Sequence, residues 1–348
     1  MQTSTLSFLV THDTDRPHPV AGREHLRQVS EAFYAYLLGR KREWSVLEFH
    51  QQDAASTLFP PPAAVDLKGY RVRQWPSLEN GTIHVQWNTL RDYFKALPQK
   101  SRSNVSRQVR SLFAAGKVEF LSSSDPAVTP ALFELYRRSE SHSWKSQAQA
   151  NIDRNPERVA YLKGLLDARQ PMRLSIQLLL LDGIPIAGLI VGAYKQGLYA
   201  LYMAYDERLS RLAPGSALML MGMRQAIDGG YAFLNLLSGS GYYKTRWLAQ
   251  ITETRVGQIY RVGGLMYWHR LLGDWKRRLF SARSKEPPAL FNPLRREVSV
   301  HDDEQTGSGK RTETPATSGE QQRIAALIAG VCKGQCEYLS AAQLAAVM

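Results

Sequence analysis

The sequence predicts an α/β (α+β) protein built on a mixed β-sheet flanked by helices. Three observations carry that prediction. Met172–Leu181, Pro185–Tyr194 and Gly197–Met203 are successive strand-length apolar runs, and Asp182-Gly183 between the first two is hairpin-turn chemistry. Pro214–Asp228 is an amphipathic helical run opened by proline and closed by Gly229-Gly230. Ala232–Leu237 then returns to strand composition.

The elements follow in order. Ala21–Leu38 places Leu26, Val29, Phe33 and Leu37 at helical spacing, and Trp44–Phe49 reads as a buried strand. Asp53–Leu58 suits a short helix capped by Asp53. Tyr70–Trp75 and Thr82–Trp87 alternate as half-exposed strands around an Asn80-Gly81 turn. Leu90–Ala115 is helical in two segments meeting near Pro98, and Val118–Leu121 is a short strand. Asp125-Pro126 and Asn155-Pro156 each open a helix, reaching Arg138 and about residue 168. Beyond the central strands come a short helix at Tyr242–Trp247, a strand at Glu253–Val262 and a helix at Leu265–Phe280.

Composition narrows the classes of function. A chain of 348 residues, 44% hydrophobic, allows two domains and one good-sized core. No run approaches the roughly eighteen apolar residues that a membrane span needs, and the N-terminus lacks the pattern of a secretory signal. Cys332 and Cys336 lie outside the expected core, which fits a reducing cytoplasm better than a disulfide framework. The net charge of +13 implies an anionic partner: a phosphorylated cofactor, an acidic glycan, an anionic lipid or nucleic acid. Nucleic acid is the weakest of these, because no reading motif accompanies the charge. Lys100–Arg110 and Trp268–Phe280 concentrate the cations. In the second, Trp268, Leu271, Leu272, Trp275 and Leu279 share one helix face, which suits peripheral contact with an anionic membrane as well as ordinary packing on a sheet. Val300–Gly319 is polar and reads as a disordered linker; Gln321–Met348 is apolar enough for one or two small helices.

The turn Ala213-Pro214-Gly215-Ser216 opens a helix, where free N–H groups and the helix dipole can receive a phosphate. Taken alone it is better explained as an ordinary strand-to-helix connection. No HExxH, CxxC or carboxylate cluster with metal spacing is present, so no metal is expected.

Five motifs in order change the weight of that turn: Ser143-Trp144-Lys145, Asp182-Gly183-x-Pro185-Ile-Ala187, Tyr205-Asp206, Pro214-Gly215-x-x-Leu218, and Gly239 through Tyr243-Lys244-x-x-Trp247. With the β-α-α-β-β-β-α-β-α-β order, the stretch from about Tyr93 to Val262 resembles the GNAT acyltransferases. Within them it is similar to the CelD-like, Fem-related branch found near exopolysaccharide and cellulose biosynthesis genes. The first block, α-β-α-β-β, resembles the second half of a further GNAT-like unit. The implied domains are a partial GNAT-like unit at 1–92, a GNAT acyltransferase domain with a basic C-terminal helix at 93–298, a disordered linker at 299–320 and a helical tail at 321–348.

The resemblance also implies a chemistry. Acetyl-CoA, or another acyl-CoA, would sit where the central strands splay. A backbone N–H within Tyr202, Met203 and Ala204 would serve the thioester carbonyl, and Arg211, Leu212, Ala213, Pro214, Gly215 and Ser216 would receive the pyrophosphate. Tyr242 and Tyr243 both suit the role of protonating the thiolate. Tyr243 is preferred, because it stands beside Lys244 in the matching motif. Asp206 is the candidate base or acceptor-binding carboxylate, with a turn cap as its competing role. Trp144, Lys145 and Lys244 are the candidate substrate-binding residues, an indole stacking on sugar and a lysine pairing with anions. The branch usually carries acidic residues where this chain has Asn235 and Gly241. The function implied is N- or O-acyl transfer to a sugar, sugar nucleotide or cell-envelope precursor in the cytoplasm. A non-catalytic scaffold and Fem-like aminoacyl transfer are the alternatives.

Overall fold

A computed structural model describes residues 4–9, 14–147, 151–166, 170–239, 241–280, 324, 326, 328 and 337–340. Its elements are β1 (Thr5–Ser7), α1 (Leu26–Gly39), β2 (Val46–Gln52), β3 (Tyr70–His84), α2 (Leu90–Ala96), α3 (Gln99–Ala114), β4 (Val118–Ser123), α4 (Thr129–Ser141), α5 (Trp144–Gln147), α6 (Pro156–Leu165), β5 (Arg173–Leu181), β6 (Ile184–Tyr194), β7 (Gly197–Tyr205), α7 (Pro214–Asp228), β8 (Phe233–Ser238), α8 (Gly241–Thr245), β9 (Gln250–Arg261), α9 (Leu265–Phe280) and β10 (Glu337–Ser340). They divide into two compact units. The first comprises residues 1–80, 238–240 and 251–299, and the second residues 81–237, 241–250 and 300–348. This geometric division runs at 80/81, whereas the family-based boundary expected from sequence lies at 92/93. The expected linker at 299–320 lies outside the described residues.

The first unit orders its strands β1-β2-β9-β3. β1 runs parallel to β2, and β2 antiparallel to β9. Leu47, Phe49 and Ile259 meet Tyr34 and Leu37 of α1, and Phe49 stacks on Phe59 with ring centroids 5.6 Å apart. A Cβ at Gly257 would stand 2.4 Å from the Phe59 ring, so that close approach requires glycine. Two expectations are corrected here. Residues 53–58 form turns rather than a helix, because the Asp53 carboxylate accepts from the Ala55 amide and closes an Asx turn. The expected turn at Asn80-Gly81 is absent: β3 runs unbroken from Tyr70 to His84, with Asn80 buried and its amide donating to Asp15. A buried side-chain bond holds Asn80 extended where its local preference favours a turn.

The second unit contains the strand order β8-β7-β6-β5-β4-β10. β4 to β7 are antiparallel neighbours, and β7 pairs parallel with β8. The expected hairpin at Asp182-Gly183 is present, with φ of 51° and 78°, the left-handed pair that a two-residue turn needs. One face packs on α4 and α6 through Leu132, Phe133, Tyr136 and Leu162; the other packs on α7, with α3 beyond it. α2 and α3 part at Pro98, as the sequence predicts, and Thr89 caps α2 by accepting from the Asp92 amide. Of the tail, Ile324 and Ile328 join the α4 core cluster. Glu337–Ser340 is a strand paired antiparallel with β4 rather than part of a helix. An unsatisfied β4 edge explains that choice, since a strand partner completes its ladder.

Tyr34 in the first unit and Tyr93 in the second are fully buried, donating to the carbonyls of Leu58 and Trp247. Burial raises both phenols well above the ordinary value of 10. The unfolded chain therefore releases these protons first as pH rises, so stability falls above about pH 10, by about 1.4 kcal/mol per pH unit for each phenol. Urea midpoints measured from pH 9 to 11 should fall accordingly. Tyr34→Phe should flatten the slope even though it lowers the midpoint at pH 7; an unchanged slope would contradict the account.

Candidate active site

The central feature is a parting of strands. β7 and β8 pair in register only over Gly197–Tyr199 with Phe233–Asn235, although β7 continues to Tyr205 and β8 to Ser238. On its other side β7 stays paired with β6, but the register shifts where Ile190 and Val191 face Tyr202 and Ala200. A bulge of this kind bends its strand, here at Leu201. Beyond Tyr199 the β8-facing edge of β7 therefore has no strand partner among the described residues. Tyr202, Met203 and Ala204 all lie on this stretch.

Alternation along β7 sends neighbouring side chains to opposite faces. Tyr202 and Ala204 join the core against α4, while Met203 and Tyr205 lie beside the start of α7. There Ala213 is left-handed at φ 48°, and Pro214 occupies the first helical position. A Cβ added at Gly215 would meet Tyr205 at 3.6 Å and the Met203 sulfur at 3.7 Å, which is ordinary contact. Internal packing thus leaves room for a side chain at Gly215. Arg211 is exposed within the 3-10 turn Glu207–Leu212, beside the same helix start. Ser216 is buried and committed inside the fold: its amide donates to the Ala213 carbonyl and its hydroxyl donates to Gln108 of α3 at 2.9 Å.

Tyr243 on α8 is 43% exposed. Partial desolvation raises its phenol above the ordinary 10, against the opposing pull of Arg246. Tyr205 is raised as well, first by burial and then by the Glu207 carboxylate, again opposed by Arg246. Arg246 is lowered by burial and supported by both phenols. Tyr205, Glu207, Tyr243 and Arg246 thus share one electrostatic neighbourhood. The Glu207 Oε2 atom is buried with no hydrogen-bond partner among the described residues. An acceptor held in that state is complementary to an incoming N–H or O–H.

Two further sequence candidates take other roles. Asp206 caps the 3-10 turn by accepting from the Arg208 amide, and its carboxylate is gripped by the Arg208 guanidinium at 2.6–3.2 Å. Lys244 is fully buried, and its ammonium donates to the Leu237 carbonyl at 2.5 Å. Leu237 has φ 54°, and its amide donates to Asn235 Oδ1 at 2.7 Å, so Lys244 and Asn235 together hold the bent end of β8. A Cβ at Gly81 would stand 2.6 Å from the Lys244 stem, which explains glycine there.

Trp144 and Lys145 stand after α4. Trp144 is 38% exposed and offers an indole face. Lys145 is tied to Glu140 at 3.0 Å and lies 6.0 Å from the centre of the Tyr202 ring. Glu140 is buried, accepting also from the Tyr136 hydroxyl at 3.2 Å and the Ile152 amide at 2.8 Å. Arg158 approaches the same Tyr202 ring at 5.9 Å. Sequence reasoning missed Glu207 and Glu140. Glu207 adjoined a more conspicuous motif acid, and Glu140 sits at a helical position that usually faces solvent. Only the Tyr136–Glu140 spacing, four residues along one helix face, signals the pair. Among the described residues no group of three or more His, Cys, Asp or Glu is placed to hold a metal.

These assignments separate by mutation. Lys244→Met removes the donor from the Leu237 carbonyl and should destabilise the protein by about 1–3 kcal/mol. Tyr243→Phe, at an exposed position, should change stability by less than about 0.5 kcal/mol. Thermal melts of both variants check this; equal losses would refute the distinction.

Residues 99–245 match the family model of the acetyltransferase (GNAT) domain. Comparison with curated proteins found no match. Among solved structures, the chain is similar to the C-terminal domain of a protein described as a lysylphosphatidylglycerol synthetase from Agrobacterium fabrum, at 12% identity, TM-score 0.48, over 75% of this chain and 80% of that one. It is similar to L-PGS from Bacillus licheniformis at 12% identity and TM-score 0.45, with the same coverage. It is also similar to FemX, at 12% identity and TM-score 0.35 over 79% and 82%. Likenesses of this strength carry no argument about activity. With the domain match, and with a mixed sheet whose central strands part beside a glycine-bearing helix start, residues 99–245 carry a GNAT acetyltransferase domain, which makes the protein an acyltransferase.

Proposed function

We propose that this acyltransferase takes its acyl group from acetyl-CoA, or another acyl-CoA, and passes it to an amine or hydroxyl of a sugar, sugar nucleotide or cell-envelope precursor in the cytoplasm. The observation that carries the reading is the open edge of β7 beside Gly215, with Tyr243 and Arg246 in the same unit. The residues present fit such a donor. Gly215 leaves its Cβ volume empty with no internal reason to do so, Arg211 supplies an exposed cation, and the α7 start supplies a favourable dipole. Ser216, with both its groups engaged internally, is left out of that set.

When bound, the donor supplies an activated thioester. The chain's own residues do the rest. Main-chain N–H groups on the parted stretch of β7 stabilise negative charge developing on the carbonyl oxygen. Tyr243, its phenol kept protonated by desolvation, holds a proton for the departing sulfur. Glu207, through its unpartnered Oε2, accepts a hydrogen bond from the acceptor's amine or hydroxyl. Trp144 presents an exposed indole suited to stacking on a sugar ring, while Glu140 holds Lys145 in place.

Acetyl-CoA should raise the melting temperature, in proportion to a stabilisation of about 2.7 kcal/mol at a hundred times Kd. Gly215→Ala should fold at least as well as the parent, whereas Gly215→Glu should fold and lose the shift. No shift at millimolar acetyl-CoA would count against the reading and favour a non-catalytic scaffold.

With thiol release followed across a panel of amino sugars, Tyr243→Phe should keep the thermal shift and lose about a hundredfold in turnover. Unchanged turnover would remove Tyr243 from the mechanism.

A further inference from the structure

We infer that α9 is a docking helix for an anionic lipid bilayer. Leu265, Trp268, Leu271, Leu272 and Trp275 are 46–60% exposed. At helical spacing these residues cover a continuous arc about 120° wide. The opposite side of the helix is the attached one. Met266, Tyr267, Arg270 and Gly273 are only partly exposed, and Arg270 donates to Gln258 of β9 at 3.2 Å. Gln258 in turn donates to Glu48 of β2, whose other oxygen meets His50 at 3.0 Å. The rotation of α9 is therefore set by a buried polar chain within the first unit. That rotation turns the leucines and tryptophans outward, where an unpaired apolar face of this size needs an occupant.

Charge selects the occupant. The helix carries Arg270, Lys276, Arg277 and Arg278 against Asp274 alone, and Arg283 and Lys285 follow in sequence. In the sequence of the helix Lys276, Arg277 and Arg278 follow directly on Trp275. A helix that joins an exposed leucine-tryptophan face to a run of cations in sequence matches one lying in a bilayer interface, where apolar groups enter the acyl boundary and cations meet lipid phosphates. A protein partner's interface core would be depleted in charge. A second copy meets a chain of net charge +13, whose repulsion opposes self-association. For an enzyme acting on lipid-linked or membrane-proximal precursors, such a helix would raise the local substrate concentration, but the inference stands on the helix itself.

The test is co-sedimentation of the full chain with vesicles of phosphatidylglycerol and phosphatidylcholine against vesicles of phosphatidylcholine alone, without acyl-CoA. Failure here is thus distinct from failure of acyl transfer. The parent protein should pellet with the anionic vesicles at least tenfold more strongly than with the neutral ones, and less as salt rises. Trp268→Glu/Trp275→Glu should lose binding at least tenfold with an unchanged melting temperature. Lys276→Glu/Arg278→Glu, which leaves the apolar face intact, should lose the preference for anionic lipid. Three results would overturn the inference: no binding to either vesicle, equal binding to both, or a dimer by light scattering that the tryptophan variant converts to monomer.

Discussion

The parting of β7 and β8 is the constraint on which the candidate site depends. Two parallel strands that pair for three residues and then diverge leave main-chain donors and acceptors without a ladder, and such groups cannot stay buried unmatched. Divergence must therefore be held from both sides. On β7 the bulge opposite Ile190 and Val191 bends the strand while β6 keeps it paired. On β8 the Lys244 ammonium and the Asn235 amide secure the left-handed residue Leu237. The gap is thus built from ordinary sheet irregularities, each satisfied locally, and the helix start at Pro214 closes one end of it.

Buried charge recurs as the means of positioning. Lys244 and Glu140 are both nearly inaccessible; Lys244 donates to the Leu237 carbonyl, and Glu140 accepts from Tyr136, Lys145 and Ile152. Desolvating such groups costs several kcal/mol, which only well-made hydrogen bonds offset. The return is geometric: Glu140 ties the end of α4 to Lys145 and Ile152, and so fixes the segment that carries Trp144. The groups fit for chemistry are different ones. Tyr243, Tyr205 and Arg246 are at least partly exposed; Arg246 pulls against the rise of both phenols, and the Glu207 carboxylate adds to the rise at Tyr205.

Much of this architecture was legible in the chain. The β5–β6–β7 meander, the Asp182-Gly183 hairpin and the limits of α7 are set by local signals, namely apolar alternation, left-handed turn residues, and proline and glycine boundaries. The misreadings were also local. Asn80-Gly81 carries turn chemistry, yet burial of the Asn80 side chain against Asp15 keeps β3 extended. Asp53 caps a turn and not a helix, because its carboxylate accepts from the Ala55 amide two residues on. At the site, the residue types around β7 and α7 drew attention to this region, but Asp206 and Lys244 owed their prominence to motif position. Their side chains are spent on Arg208 and on Leu237.

The sequence by itself determined the β5–β6–β7 meander and the limits of α7, that the chain is basic, and that Gly215 stands at a helix start, because each is set by local composition. Only the tertiary structure decided which polar side chains face the parted strands. Glu207 and Asp206 are adjacent in the chain, yet one is clamped by an arginine and the other keeps a buried, unpartnered oxygen. That difference arises from side-chain geometry and desolvation, since Arg208 is near both acids in sequence and its guanidinium grips Asp206; residue order does not carry those quantities.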